Sequence, residues 1–254
     1  MRIRRFQVDD VSGSIVRVGG PQAEHALKVL RLKVGGEVAL FDGRGAEVTG
    51  RVRSIVHRTF EVEVTHRYGM HRDSGPCLVM AAACPKGNRA DWLVEKCAEL
   101  GVRALWLLKT ERGSVDPGEG KLTRWCRKGV EAAKQSGHTI TMAVEPARTV
   151  AEALAAAARA PALHLFYGDP RDADRTFTHS LAKLPPPGTH PSRLAVFIGP
   201  EGGFTNAECG LLTGAGARPV RLSNAILRVE TAAVAAAAAW ASWVASTPER
   251  PVEE

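Results

Sequence analysis

Ile198-Gly199-Pro200-Glu201-Gly202-Gly203-Phe204-Thr205-Asn206-Ala207-Glu208 is the stretch on which the reading of this chain turns. The apolar run Leu194-Ala195-Val196-Phe197-Ile198 leads into it and predicts a buried strand. The chain then turns and begins a helix. Thr205 stands at the N-cap, and Glu208, three residues on, completes a capping box. Glycines in such a turn let a ligand approach the backbone, because no Cβ stands in the way. Strand, glycine turn and capped helix are a common cofactor cradle in α/β domains, at the carboxyl end of a strand. A purely structural turn would read the same way. Neither phosphate-loop spacing is present, and Glu201 places a negative charge where a phosphate would sit.

A second segment follows about 20 residues on. Arg218-Pro219-Val220-Arg221-Leu222 predicts a short strand, and Leu222-Ser223-Asn224-Ala225-Ile226-Leu227-Arg228-Val229-Glu230-Thr231-Ala232 leads into an alanine-rich helix, Ala232 to Trp243. Alanine is the best helix former, and its small side chain lets backbones pack closely. Arg228 and Glu230 stand just before an apolar helix, where charge is hard to explain by packing. They are either an ion pair at a helix entrance or part of a site.

Around these segments the pattern divides. Residues 1–72 carry short alternating runs. Phe60 to Val64 has the period of two of a half-buried strand. Val38 to Phe41 and Val48 to Val52 flank the hairpin signal Asp42-Gly43-Arg44-Gly45, and Pro21 to Leu32 reads as a helix. This is the pattern of a small β-barrel. Residues 69–76 read as a linker. From residue 77 to 248, strands and helices alternate, which predicts a mostly parallel sheet covered on both faces. Expected strands are Leu78 to Ala83, Val102 to Leu108, Ile140 to Val144 and Leu163 to Tyr167. Expected helices are one capped by Asn88 and stopped by Gly101, then Lys121 to Ser136 and Val150 to Arg159. The proline-rich Leu184 to Pro191 reads as a surface connection.

The two segments together resemble the RsmE-type ribosomal RNA methyltransferases of the SPOUT superfamily. That family carries an I-G-P-E-G-G turn, complete here at Ile198 to Gly203, and an L-G-x-R-[IV]-L-R-x-E-T-[AT] segment. The second is matched at Leu222, Ile226, Leu227, Arg228, Glu230, Thr231 and Ala232, and departs at Ser223 and Ala225. Further matches fall in order along the chain. His25 to Arg31 and Leu40 to Gly43 lie near the start, then Lys86-Gly87, Glu95-Lys96, Glu99 to Val102 and Thr110 to Arg112. Glu131 to Gly137 matches another family element, with His138 in place of its arginine.

The resemblance implies an α/β fold: a SPOUT-type C-terminal domain with a parallel sheet and a trefoil knot, preceded by a small PUA-like β-barrel that binds RNA. It implies transfer of a methyl group from S-adenosylmethionine to N3 of a specific uridine in 16S ribosomal RNA, as free RNA or in the small ribosomal subunit. Three loops would hold the cofactor: Phe166, Tyr167 and Gly168 with Asp169; Ile198, Gly199, Pro200, Glu201, Gly202 and Gly203; and Leu222, Ser223, Asn224, Ala225, Ile226 and Leu227. The site would lie at a homodimer interface. The C-terminal helix with Trp240 and Trp243 is either that contact surface or core.

The chemistry assigns candidate roles. Uridine N3 lies on the pairing edge, so the base must be unpaired or flipped out. Arg228 is the candidate cation for charge developing on the uracil, and Glu230 either orients Arg228 or takes the N3 proton. Thr231 could serve only as a helix cap. Arg4, Arg5, His25, Lys28, Arg31, Lys86, Arg89 and Arg112 are candidate RNA contacts.

Charge and cysteines fit this picture. The 254 residues carry a net charge of +7, and residues 1–72, with thirteen Lys and Arg against eight Asp and Glu, hold +5 of it. A polyanionic partner accounts for such a concentration, as does a basic surface kept for solubility. The five cysteines form no C-x-x-C pair, and the eight histidines show no metal spacing. Free thiols in a reducing cytoplasm, without disulfide or metal, are expected. No signal peptide or membrane span is expected either. Two rivals remain: a SPOUT ribose 2′-O-methyltransferase and a non-catalytic RNA-binding homologue. The first tends to carry N-x-G-x-x-x-R early in the catalytic domain, where this chain has Cys84-Pro85-Lys86-Gly87-Asn88-Arg89. Cofactor binding separates the second.

Overall fold

The computed structural model describes residues 3–69, 76–113, 117–159, 163–171, 173–186 and 193–246. Most of the expected linker at 69–76 and part of the proline-rich connection at 184–191 lie outside the described residues, as do 247 and 248. The chain folds into two compact units. One holds residues 1–73 and 133–141, the other residues 74–132 and 142–254.

The first unit contains β1 (Arg4–Gln7), β2 (Ile15–Val18), α1 (Gly20–Lys28), β3 (Glu37–Phe41), β4 (Glu47–Val56) and β5 (Thr59–Arg67). Among the described residues they form a five-stranded mixed sheet, a half-barrel in the order β1-β3-β4-β5-β2, in which only β1 and β3 run parallel. The hairpin signal at 42–45 joins β3 to β4 as expected. Asp42 Oδ1 accepts from the Arg44 and Ala46 amides at 2.7 and 3.0 Å, which folds the turn. Burial resists charge on Asp42, but these bonds hold its carboxyl below the usual range. Phe60 and Val62 point into the core, while α1 ends at Lys28, short of the expected Leu32. Arg31 follows with φ +51, a left-handed conformation that a helix cannot continue through.

The second unit contains β6 (Cys77–Ala83), α2 (Arg89–Glu99), β7 (Ala104–Lys109), α3 (Glu119–Ser136) up to Ala132, β8 (Ala143–Thr149), α4 (Val150–Ala157), β9 (Leu163–Gly168), α5 (Phe177–Leu181), β10 (Arg193–Ile198), α6 (Asn206–Gly214), β11 (Arg218–Val220) and α7 (Val229–Ala245). The six strands, among the described residues, are all parallel in the order β11-β9-β10-β6-β7-β8. Sheets of this kind are covered on both faces, so their central strands are near-continuous apolar runs. β10 shows it: Leu194 to Ile198 are all buried. No helix among the described residues is long and apolar enough to cross a membrane.

Several local expectations are corrected. The strand placed at Ile140 to Val144 is β8, which begins at Ala143. Ile140 instead bridges to Gly43 and Arg44 inside the first unit. Asn88 stands at the N-cap of α2 but makes no side-chain cap bond, because its own backbone is helical. Thr231 lies inside α7, whose N-cap is Arg228, so it caps nothing. Trp240 is buried in the core of its own unit, whereas Trp243 is only partly buried.

Candidate functional site

Three neighbouring strands, β9, β10 and β11, end on the same side of the sheet, and beyond their carboxyl ends lies a cavity of about 280 Å³. The crevice outside the carboxyl ends of parallel strands is where such sheets bind ligands. Each strand contributes its following loop. Gly168 to Arg171 come from the end of β9 and beyond it, Ile198 to Glu201 with Gly203 and Phe204 from the end of β10 and beyond it, and Val220, Leu222, Ser223 and Ala225 to Leu227 from the end of β11 and beyond it. Asn206, Cys209, Val229 and Ala232 complete the lining from α6 and α7.

The glycine turn has its shape for stated reasons. The Gly203 amide donates to Pro200 O at 2.8 Å, and Gly203 adopts φ +71, open to glycine at little cost. A Cβ on Gly199 would come within 3.2 Å of the Phe204 ring and amide, so this position admits no side chain without displacement. The expected capping box closes the turn. Glu208 N donates to Thr205 Oγ1 at 3.3 Å, and Thr205 N donates to Glu208 Oε2 at 2.8 Å. Ser223, at the family's glycine position, accepts from the Ala225 amide at 3.1 Å and so shapes the third loop with its side chain.

Eleven of the fifteen expected cofactor residues line this cavity: Gly168, Ile198, Gly199, Pro200, Glu201 and Gly203, then Leu222, Ser223, Ala225, Ile226 and Leu227. Four do not. Phe166 is fully buried against Phe177, with Arg218 over its ring at 4.9 Å. Tyr167 is buried and its hydroxyl meets Thr213 Oγ1 at 3.4 Å. Gly202 faces Arg112, and Asn224 is exposed outside the lining. Phe204, Asn206 and Cys209 line the cavity without being expected to. The helix-start signal at Thr205 could have found Asn206, which is the first helical residue of α6.

Arg228 and Glu230 stand beside the cavity without lining it. Arg228 is exposed at the N-cap of α7, one residue after Leu227, and has no carboxylate partner among the described residues. Glu230 is 6% exposed. Arg89, the first residue of α2, joins the two motif segments: its Nη1 lies 3.4 Å from Glu201 Oε1 and 3.5 Å from Glu230 Oε1. Glu230 Oε2 is buried with no hydrogen-bond partner among the described residues. Arg89 therefore faces two carboxylates, a poor disposition for a phosphate contact. Arg112 likewise turns to the glycine turn, its Nη1 donating to Gly202 O at 2.7 Å.

In the first unit Arg5 is corrected as an RNA contact. Its side chain is 12% exposed, paired with Glu47 at 3.0 Å, donating to His138 O at 3.2 Å and lying over Phe41. His25, Lys28 and Arg31 are exposed, and Arg4 is partly so. Lys28 pairs with Glu24 at 3.4 Å. Lys86, in the second unit, is exposed.

Comparison with known proteins adds to this geometry. Residues 74–241 match the model of an RNA methyltransferase domain, and residues 18–65 that of an RNA methyltransferase PUA domain. Ribosomal RNA small subunit methyltransferase E of Synechocystis sp. is 30% identical over 217 residues, covering 85% of this chain and 69% of the relative. Its Mycobacterium bovis counterpart is 28% identical over 247 residues, covering 91% and 88%. A solved ribosomal RNA small subunit methyltransferase E from Neisseria gonorrhoeae, bound to S-adenosyl methionine, superposes with a TM-score of 0.80 at 29% identity, over 95% of this chain and 98% of that one.

Proposed function

The chain belongs to the ribosomal RNA small subunit methyltransferase E family of RNA methyltransferases, and from that premise we propose that it methylates N3 of a uridine in 16S ribosomal RNA, using S-adenosylmethionine. The observation that carries the reading is the convergence of three strand-end loops, two of them motif loops, on one cavity. The residues present suit the cofactor. Ile198, Leu222, Leu227 and Phe204 offer apolar surface to an adenine, and the Asp169 and Glu201 carboxylates suit hydroxyl and cationic groups. A Cβ on Gly199 would push into Phe204 and narrow that cradle.

When bound, S-adenosylmethionine supplies a methyl group already activated by its sulfonium. The chain must then bring uridine N3 to it, in line, and favour loss of the N3 proton. Arg228 is exposed beside the cavity, and in this reading its guanidinium stabilises negative charge on the uracil oxygens. Glu230, its carboxylate half-engaged by Arg89, either takes the proton or fixes the entry of α7. Residues 1–72 dock the RNA through His25, Lys28, Arg31 and Arg4. In this reading the catalytic part, residues 77–248, is knotted and acts as a homodimer in the cytoplasm, with the C-terminal helix and its partly buried Trp243 as the candidate contact surface.

The test is methyl transfer from labelled S-adenosylmethionine to small ribosomal subunits and to free 16S RNA from cells lacking the modification. Nuclease digestion and mass spectrometry then identify the product. 3-Methyluridine is expected. A ribose methyl overturns the assignment to the base, and absence of cofactor binding in calorimetry overturns the enzyme.

A further inference from the structure

Arg89 stands where local rules do not favour it. It is the first residue of α2, and the unpaired amides of a helix start repel a cation. Asn88 before it makes no side-chain cap bond that would offset this. A residue that breaks a local rule without a local gain is expected at a functional site. The gain here lies across the fold. Arg89 Nη1 donates to Glu201 Oε1 at 3.4 Å and lies 3.5 Å from Glu230 Oε1.

The two carboxylates are unequal. The Glu230 side chain is 8% exposed, in the first turn of α7. Helices α2 and α7 pack on each other in one apolar core, to which α2 gives Leu93 and Cys97 and α7 gives Ala233 and Ala237. Close packing fixes the helix starts that carry Arg89 and Glu230. The Glu201 side chain is 56% exposed, in the glycine turn. It lines the cavity already described and also a second one of about 310 Å³ at the ends of β6 and β7, which shares Pro200 and Glu201 with the first. Arg89 lines neither. A pair as exposed as Arg89 and Glu201 adds little stability. What it supplies is a fixed place for a carboxylate that would otherwise sample its rotamers freely.

We propose that Arg89 is a positioning residue for the cofactor: buried Glu230 anchors its guanidinium, and the guanidinium holds the Glu201 carboxylate in place on the cavity wall. This rests on the methyl-transfer reading above, with S-adenosylmethionine in that cavity, and adds the side chain that orients one of its walls. Arg89 acts through Glu201. Only Oε1 of Glu230 serves as the anchor, and its Oε2 stays open. Charge alone predicts the opposite result. Arg89, Glu201 and Glu230 carry one formal positive charge against two negative. Without Arg89 the wall is more negative, and a cationic methyl donor would bind more tightly. With Arg89 as the residue that positions Glu201, the same change weakens binding.

Calorimetry of S-adenosylmethionine binding to the full chain is the test. Arg89→Ala should weaken binding about fivefold, the scale of one lost hydrogen bond. Arg89→Lys should stay within about twofold of wild type, because a single nitrogen, Nη1, makes both contacts and an ammonium can take its place. In a Glu201→Ala background, Arg89→Ala should add nothing, because the carboxylate that it positions is gone. Thermal unfolding checks the fold of each variant, and Arg89→Met, which keeps the stem and loses the charge, replaces Arg89→Ala if that variant is unstable. Unchanged or tighter binding in Arg89→Ala would overturn the inference, as would the same loss on top of Glu201→Ala. Wild-type protein that binds no S-adenosylmethionine would sink the methyl-transfer reading itself, a result distinct from either.

Discussion

Glu208 and Glu230 are both buried in the first turn of a helix, at 5% and 6% exposure, and both stand within a motif of the same cavity. Their surroundings differ. Glu208 has both oxygens occupied by backbone amides, from Thr205 and from Glu111. Glu230 shares one oxygen with Arg89 at the edge of hydrogen-bond reach and leaves the other open. A carboxylate fully engaged by amides is built to hold a turn in place. One with an open acceptor, next to an exposed arginine, is built to meet something else. The two glutamates therefore contrast a carboxylate spent on the fold with one whose second oxygen is left open.

On the proposed methyl-transfer reading, the largest effects should fall at Glu230 and Arg228. Glu230→Gln keeps shape and removes the charge, and methyl transfer should drop by about 10²–10⁴-fold, the scale of a lost acid or base. Thermal unfolding should barely move. Arg228→Ala should match it in turnover and leave cofactor affinity largely intact, and a wild-type rate would remove Arg228 from the chemistry. Glu208→Ala should do the reverse. It uncovers two buried amides and should cost about 1–3 kcal/mol in denaturant unfolding, with any loss of activity following loss of fold. A Glu208→Ala protein that is stable but inactive would erase the distinction.

A smaller effect is expected from Gly199→Ala, whose methyl group must displace Phe204. Affinity for S-adenosylmethionine should fall about tenfold, or about 1.4 kcal/mol, in calorimetry. The smallest belongs to Asp91, in the first turn of α2. Burial opposes its charge, but bonds from Trp125 and Arg124 win and hold its carboxyl below the usual range. Trp125 Nε1 donates to it at 2.7 Å. A carboxylate depressed on folding contributes stability above its unfolded value and loses it as pH falls toward the folded one. Asp91→Asn should therefore destabilise slightly at neutral pH, with the difference from wild type shrinking as pH falls below about 3.9.

What the sequence made legible was local. The capping box at Thr205 and Glu208 depends on residues three apart, and the turn at Asp42 on residues two and four apart. The fault at Ile140 shows the limit. Its apolar neighbours suit a strand, but its partners, Gly43 and Arg44, lie about a hundred residues away along the chain, in the first unit.

By itself, then, the sequence determined the glycine turn, the alternating strands and helices and the family that both motifs mark. Each is written in nearest-neighbour backbone preferences and in residue types at fixed spacing. The tertiary structure decided the rest: that Arg89 faces Glu201 and Glu230, that Arg5 turns inward, and that a second cavity shares Pro200 and Glu201 with the first. The first and the last depend on strand order in the parallel sheet, where β6 sits beside β10 although more than a hundred residues separate them, and the turn of Arg5 depends on packing within the first unit. Side chains meet across that distance only after the sheet has formed, so no spacing in the chain could announce them.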